Sequence, residues 1–163
     1  MCRYFSPLIG AYIALSLCPT QSVALTQDEI AGTWSVVSIQ HEEQSGKKSM
    51  PLGEHPRGVL IIGSDGRFTA VLVAEGRTPL QNEGSMAELT QSVIAYSARA
   101  AIEPDSGNST SLKVTLVPDV SWNPASTGNS DTRSITLQGN KLTVTSTTPA
   151  GTETQTYERA ARR

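Results

Sequence analysis

The chain has little that would serve covalent catalysis or charge-driven binding. Its two cysteines, Cys2 and Cys18, lie close to the N-terminus, and its formal net charge is −2. A chain this close to neutrality gives no indication of a nucleic-acid partner or of binding to an anionic membrane surface. The sequence also lacks a nucleophile elbow, a phosphate-binding glycine loop and a carboxylate pair spaced for hydrolysis. We therefore expect no catalytic residue of these kinds and no cofactor.

Residues 1–24 have the pattern of a secretory signal peptide. Arg3 gives a positive start, residues 8–17 form a short apolar core, and Ser22 and Ala24 supply the small residues that signal peptidase needs at −3 and −1. The apolar run is too short to span a bilayer comfortably. We expect cleavage near Ala24, which leaves a single domain at 25–163 in the periplasm of a bacterium or outside the cell.

Both cysteines fall in the segment that we expect to be removed, so the exported domain would have neither a disulfide nor thiol chemistry. Export without disulfides suits a bacterial periplasm better than a small animal toxin. The alternative is a lipid anchor at Cys18, since residues 15–18 (Leu-Ser-Leu-Cys) loosely resemble a bacterial lipobox. The bulky Leu17 before the cysteine argues against it.

Short apolar runs and many Thr, Ser and Gly residues predict an all-β domain. Eight strands are predicted at 34–40, 58–63, 67–74, 95–103, 111–117, on either side of Gly139-Asn140, and at 152–159. The adjacent Val36 and Val37 break the alternation of the first strand, so we expect a bulge there. A short helix is predicted from Ser85 to about residue 94, between the third and fourth strands.

Two tight turns predict the pairing of neighbouring strands. A two-residue turn at Asp65-Gly66 pairs Ser64 with Arg67 and places Val59, Ile61, Phe68, Ala70 and Leu72 on one face. A second turn at Gly139-Asn140 pairs Gln138 with Lys141 and sets Ile135 opposite Val144.

The connections alternate between long and short along the chain. Alternate connections of an antiparallel meander lie at the same end of the sheet, so the long connections share one rim. The sequence therefore predicts a cup with a mouth formed by loops and a closed opposite end.

Several short segments, in this order and spacing, resemble the lipocalin or calycin superfamily, and over 27–160 the bacterial lipocalin-like domain proteins. They are Gly32-Thr33-Trp34, Pro51-Leu52-Gly53, Gly58-Val59-Leu60-Ile61, Ser64-Asp65-Gly66, Trp122, Arg133 and Gly139-Asn140-Lys141-Leu142. The resemblance implies an eight-stranded antiparallel up-and-down barrel around a cavity for a small apolar ligand. It also implies that Trp34, beside Gly32, plugs the closed end and that Arg159 packs across the indole.

The inward residues of this barrel form the predicted binding site. They are Val59, Ile61, Phe68, Ala70, Leu72, Tyr96, Ala98, Leu116, Ile135 and Val144. Trp122 is expected at the mouth, although rim packing would explain Tyr96 and Trp122 equally well. The small Ala70 and Ala98 either leave room for a ligand or are covered by large neighbours.

His41 and His55 lie on or beside the connection after the first strand, at the predicted mouth. They are the side chains whose ordinary pKa lies near neutrality. Either could act as a general base or as a lid over the ligand, or both could be solvated loop residues. The glutamates near them lack the spacing of a metal site, so we expect no bound metal.

Three functions remain open for such a barrel. The first is an exported protein that binds a small, largely apolar molecule. The second is an enzyme of the isomerase or cyclase kind, with His41, His55 and Tyr96 as its candidate residues. The third is a filled barrel with a structural or interaction role.

Overall fold

Strands account for most of the molecule, as its β-branched residues favour. The computed structural model describes residues 24–79 and 84–161, so both cysteines and nearly all of the expected signal peptide lie outside the described residues. The elements, in chain order, are α1 (Gln27–Ile30), β1 (Gly32–Glu43), β2 (Lys48–Ser49), β3 (Arg57–Ile62), β4 (Arg67–Val73), α2 (Gly84–Gln91), β5 (Val93–Pro104), β6 (Ser111–Ser121), a 3-10 turn (Pro124–Ser126), β7 (Asp131–Gln138), β8 (Lys141–Thr148) and β9 (Gly151–Arg159).

Eight of these strands close into an antiparallel up-and-down barrel. From β3 to β9 each strand pairs with the next along the chain, and β1 pairs with both β3 and β9. The two-residue strand β2 pairs with the end of β1 and is not one of the eight barrel strands. The predicted eight-stranded barrel, with a short helix (α2) between its third and fourth strands, is therefore confirmed.

A bulge allows β1 to serve two neighbours. Residues 32–35 pair with β3, whereas residues 34–43 pair with β9, and the register against β9 shifts between Val36 and Ser38. The extra residue, Val37, is 43% exposed. The bulge predicted from the adjacent valines is confirmed, and it turns the strand from one partner toward the other.

The hairpin between β7 and β8 has the predicted register. Gln138 pairs with Lys141, and Ile135 lies opposite Val144. Gly139 has a φ of +60°, which glycine adopts without a steric penalty.

The register predicted for the hairpin between β3 and β4 is wrong by one residue. The Gly63 N–H donates to the carbonyl oxygen of Arg67, and Gly66 has a φ of +79°. The loop therefore contains residues 64–66 rather than two residues. Loops of this length place glycine in the left-handed conformation at their last position.

This shift exchanges the two faces of β3, because neighbouring residues of a strand point to opposite sides. Leu60 and Ile62 enter the core, and each is 2% exposed. Val59 and Ile61 lie on the outer face, where Ile61 is 44% exposed. The prediction that Val59 and Ile61 line the interior is therefore wrong.

β6 continues to Ser121, beyond its predicted end at Val117. Its register against β5 shifts at Pro118, which leaves Asp119 as an extra residue. A bulge is one of the few places where a sheet tolerates proline, since proline has no N–H to donate. The carboxylate of Asp119 accepts two hydrogen bonds from the guanidinium of Arg67, at 3.0 and 2.9 Å.

Trp34 and Arg159 close one end of the barrel. Trp34 is fully buried, and Cζ of Arg159 lies 4.1 Å from the centroid of its indole ring. Nε1 of Trp34 donates to the carbonyl oxygen of Ile30 at 2.8 Å. The guanidinium of Arg159 donates to the carbonyl oxygens of Ala31 and Glu29, at 3.0 and 2.6 Å. These bonds satisfy carbonyls that the end of α1 leaves free and hold α1 against the barrel.

Gly32 leaves room for this stacking. A Cβ at Gly32 would lie 3.0 Å from Nη1 of Arg159, and the φ of +137° is one that other residues rarely adopt. The predicted closed end of Gly32, Trp34 and Arg159 is therefore assembled as expected. The strand ends that lead into the long connections lie at the opposite end, which is the mouth.

Replacing Ile62 with alanine should destabilise the protein by about 2–5 kcal/mol, because it removes a packed core side chain. The matched control is Ile61→Ala one residue earlier, which should cost less than about 1 kcal/mol since Ile61 lies on the outer face. Urea denaturation of both variants measures the difference. Equal costs at the two positions would contradict the observed register.

Candidate functional site

The neighbouring strands β7, β8, β9 and β1 place their inward side chains in rows across the barrel wall. The middle row is buried and consists of Ile135, Val144, Gln155 and Ile39. The next row toward the mouth, which we call the mouth row, is polar and consists of Arg133, Ser146, Glu153 and His41. The two rows are about 7 Å apart, so the wall changes from mostly apolar to polar within one step of the strand alternation.

A cavity of about 320 Å³ opens at this level. Its apolar side is formed by Ile94, Leu116, Pro118 and Trp122. Its polar side is formed by Tyr96, Asp131, Arg133, Glu153 and Gln155, with the connection after β6 as the rim. The volume falls within the range of small-molecule sites.

Local hydrogen bonds hold the connection that carries Trp122. The Trp122 N–H donates to the carbonyl oxygen of Ala95 at 2.8 Å. The side chain of Asn123 accepts from the Ala125 N–H at 3.1 Å, and Asn129 Nδ2 donates to the Ala125 carbonyl oxygen at 2.6 Å. Trp122, which is 39% exposed, is thereby kept beside the cavity.

Arg133 is the cation of the cavity, and two neighbours hold it. Nε donates to Asp131 Oδ2 at 2.7 Å, and Nη1 donates to the hydroxyl oxygen of Tyr96 at 2.9 Å. The second carboxylate oxygen of Asp131 accepts from the Ser146 hydroxyl at 3.1 Å. Nη2 of Arg133 has no hydrogen-bond partner in the part of the chain that the structure describes. All fully buried side-chain nitrogens and oxygens there do have partners, so Nη2 is at least partly accessible to solvent, and Arg133 lines the cavity.

Burial lowers the pKa of Arg133, but the nearby Tyr96 and Asp131 raise it by more, so the pKa lies above its ordinary value. Arg133 is therefore a fixed positive charge. The cavity lining holds this one guanidinium and the two carboxylates of Asp131 and Glu153, which gives a formal charge of −1. Asp131 is paired with Arg133. Glu153 forms no ion pair within residues 24–79 and 84–161, so it is the uncompensated charge.

A chain of hydrogen bonds runs along β9 from the core to the cavity. The Tyr157 hydroxyl donates to Gln155 Oε1, and Gln155 Nε2 donates to Glu153 Oε1 at 2.6 Å. Tyr157 is fully buried and Gln155 is 5% exposed. Oε2 of Glu153 accepts no hydrogen bond from any described residue, so by the same argument it is accessible to solvent, and Glu153 lines the cavity. Tyr157 and Gln155 thus hold the Glu153 carboxylate from the core side, and its Oε2 is left without a partner among the described residues.

The predicted interior residues divide into two groups. Tyr96, Leu116 and Trp122 line the cavity. The others that face inward are packed in the core, each at most 3% exposed, and are Phe68, Ala70, Leu72, Ala98, Ile135 and Val144. Side chains therefore fill the closed half of the barrel and also the mouth half at β4, where Leu72 pairs with Ile94. The cavity lies in the mouth half against β5, β6, β7 and β9.

The two histidines lie in different surroundings. His41 is half-buried in the mouth row and lines a smaller cavity of about 270 Å³ that shares Asp131, Arg133 and Glu153 with the first. His55 is exposed, and its backbone N–H donates to the Glu75 carboxylate at 3.0 Å. Only His41 of the two therefore lies near the candidate site.

No cluster of three or more His, Cys, Asp or Glu side chains suited to a metal ion occurs in the described ranges. Within the same residues, no helix is long and apolar enough to cross a membrane.

The sequence interpretation named Tyr96 and His41 but missed the other polar residues of the site, which are Asp131, Arg133, Glu153 and Gln155, since it chose inward strand positions mostly by their apolar character. The alternation of the strands contained the missing signal. Arg133 lies two residues before Ile135, which was correctly placed inside. Every second residue of β9 points to the same side, so Gln155 and Glu153 point inward like Arg159, which stacks on Trp34.

Comparison with known families adds independent support for the domain. A family model described as a lipocalin-like domain matches residues 31–162, which include every barrel strand and the whole mouth row. No curated protein matches the chain.

The buried Tyr157 predicts a loss of stability at high pH. Burial raises the pKa of Tyr157 in the folded protein, and Tyr96 raises it further, whereas the unfolded chain ionises near the ordinary value of 10.0. The contribution of Tyr157 to the free energy of unfolding is therefore intact below about pH 10 and is lost as the pH rises above it. Urea denaturation from about pH 8 to about pH 11 should show this decline, and Tyr157→Phe should flatten it. An unchanged slope in Tyr157→Phe would assign the pH dependence to other groups.

Proposed function

Because the chain belongs to the lipocalin-like domain family, we propose that it binds a small amphipathic molecule in the cavity at the barrel mouth. The observation that carries the proposal is the change of lining along the barrel. Packed apolar side chains fill the closed half, and a cavity of about 320 Å³ with one apolar and one polar side lies above them.

The polar side of the cavity argues against a purely apolar ligand. Such a ligand would remove water from Nη2 of Arg133 and Oε2 of Glu153 without replacing their hydrogen bonds, and an unpaired polar group in an apolar environment is costly. A ligand with an apolar body and one polar head avoids this cost. The body would pack on Leu116, Pro118 and Trp122, and the head would point to the mouth row.

We further propose that the protein acts in the periplasm or outside the cell. The support is the signal-peptide pattern of residues 1–24, with its apolar core at 8–17 and small residues at 22–24. An exported binding protein of this size would take up its ligand through the loops at the mouth.

Mass spectrometry of the protein purified from its own host should show both features. The denatured chain should begin at or next to Leu25, and the native spectrum should show a retained small molecule with one polar head. An intact Met1 would contradict export by cleavage, and a lipidated Cys18 would indicate an anchor instead.

Replacing Trp122 with alanine should weaken binding of the fluorescent probe N-phenyl-1-naphthylamine about three- to tenfold, because the variant loses one aromatic wall of the cavity. The matched control is Val120→Ala. Val120 is 65% exposed near the end of β6, two residues before Trp122, and does not line the cavity, so probe affinity should not change. A wild-type protein that fails to bind the probe, or equal losses in both variants, would contradict the proposed site.

A further inference from the structure

We infer that the cavity selects a neutral head group that presents a carbonyl oxygen beside an N–H or O–H, such as a primary carboxamide, over the carboxylate of the same molecule. The inference rests on the proposed function, since it concerns the head of the ligand in the same cavity. It depends on which hydrogen-bonding groups of the mouth row are already used and which are left open.

Two donors lie side by side at the polar end of the cavity. Nη1 of Arg133 donates to the hydroxyl oxygen of Tyr96, so the hydroxyl proton of Tyr96 points elsewhere and meets no acceptor among the described residues. Nη2 of Arg133 is also unpaired within those residues and accessible to solvent, and Arg133 lines the cavity. One carbonyl oxygen of a ligand could accept from both.

The acceptor is Oε2 of Glu153. Its partner oxygen is held by Gln155 Nε2, and Gln155 is fixed in turn by the Tyr157 hydroxyl. If the side-chain amide of Gln155 were flipped, its oxygen would face Oε1 of Glu153, and both of these atoms are acceptors. The orientation with Nε2 toward Glu153 therefore gives Oε1 of that carboxylate a donor.

Strand register brings the donors and the acceptor within reach of one head group. Arg133 pairs with Ser146 and Ser146 pairs with Glu153, so their strands are next-but-one neighbours, about 10 Å apart at the backbone. Both side chains point inward and line the same cavity. A single planar group between them can contact both.

Charge decides which head group fits. Asp131 already neutralises Arg133, whereas Glu153 has no cation partner among the residues that the structure describes, and His41, opposite it on β1, forms no ion pair with it. A ligand carboxylate would meet this uncompensated charge and would bring no donor for Oε2. An ammonium group would pair with Glu153 but has no acceptor, so it would leave both protein donors unmatched. A neutral amide satisfies the donors and the acceptor together.

The test compares octanamide, octanoate and octylamine as competitors of N-phenyl-1-naphthylamine at neutral pH. Wild-type protein should bind octanamide at least about tenfold more tightly than octanoate, because the repulsion between two like charges in a partly buried site exceeds that factor. Octylamine should bind more weakly than octanamide.

Glu153→Gln should reverse the preference. It removes the charge with little change of shape, so octanoate should gain about tenfold in affinity. The oxygen of the new amide would accept from Gln155 Nε2 and its NH2 group would take the place of the open acceptor, so octanamide should lose affinity. Glu158→Gln is the matched control, because Glu158 lies on the same strand, is exposed and does not line the cavity. Its three affinities should equal those of the wild type.

Each outcome has a separate meaning. Octanoate binding as tightly as octanamide to the wild type, or unchanged preferences in Glu153→Gln, would overturn the inference. A probe that binds but is displaced by none of the three compounds would also overturn it while leaving the proposed function intact. Failure of the probe itself to bind would overturn the proposed function. If Glu153→Gln does not fold by circular dichroism, the wild-type comparison alone decides.

Discussion

Closure of the sheet through β1 is the constraint on which the rest of the structure depends. β1 can pair with β3 at its start and with β9 along its remainder because the bulge at Val37 turns it between them. Closure also fixes which side chains enter the barrel. Trp34 lies inside beneath Arg159, and alternation from Arg159 then brings Tyr157, Gln155 and Glu153 inward in succession. The contact between Arg159 and Trp34 at the closed end thus fixes which side chains of β9 face inward at the mouth.

The polar groups of the mouth half are tolerated beside an apolar core since they satisfy one another. Asp131 accepts from both Arg133 and Ser146, and Gln155 links Tyr157 to Glu153. In the part of the chain that is described, no buried side-chain nitrogen or oxygen lacks a partner. The hydrogen-bonding groups that remain unpaired are therefore accessible to solvent, and those of Arg133 and Glu153 belong to residues that line the cavity. A site of this kind is rigid before a ligand arrives, which reduces the entropy lost on binding.

The sequence was informative where apolar and polar residues alternate and where turn length was unambiguous. The hairpin around Gly139 was predicted in its correct register for both reasons. β3 was not, since residues 59–62 are all apolar and show no alternation, and the turn after them is one residue longer than Asp65-Gly66 alone suggests. The candidate site was only partly predicted, because Tyr96 and Trp122 are aromatic but Arg133 and Glu153 look like surface residues until alternation is followed past the apolar part of each strand. Whether inward small residues such as Ala70 leave a void depends on how their neighbours pack, which no linear pattern records.

The two tryptophans of the chain lie at opposite ends of the barrel and in opposite environments. Trp34 is fully buried with a guanidinium on its ring, whereas Trp122 is 39% exposed at the edge of the cavity. Their intrinsic emission should therefore separate, with a blue-shifted component from Trp34 and a red-shifted one from Trp122. The molecule carries a natural optical reporter for each end, so opening of the plug and arrival of a ligand can be followed independently in the unlabelled protein.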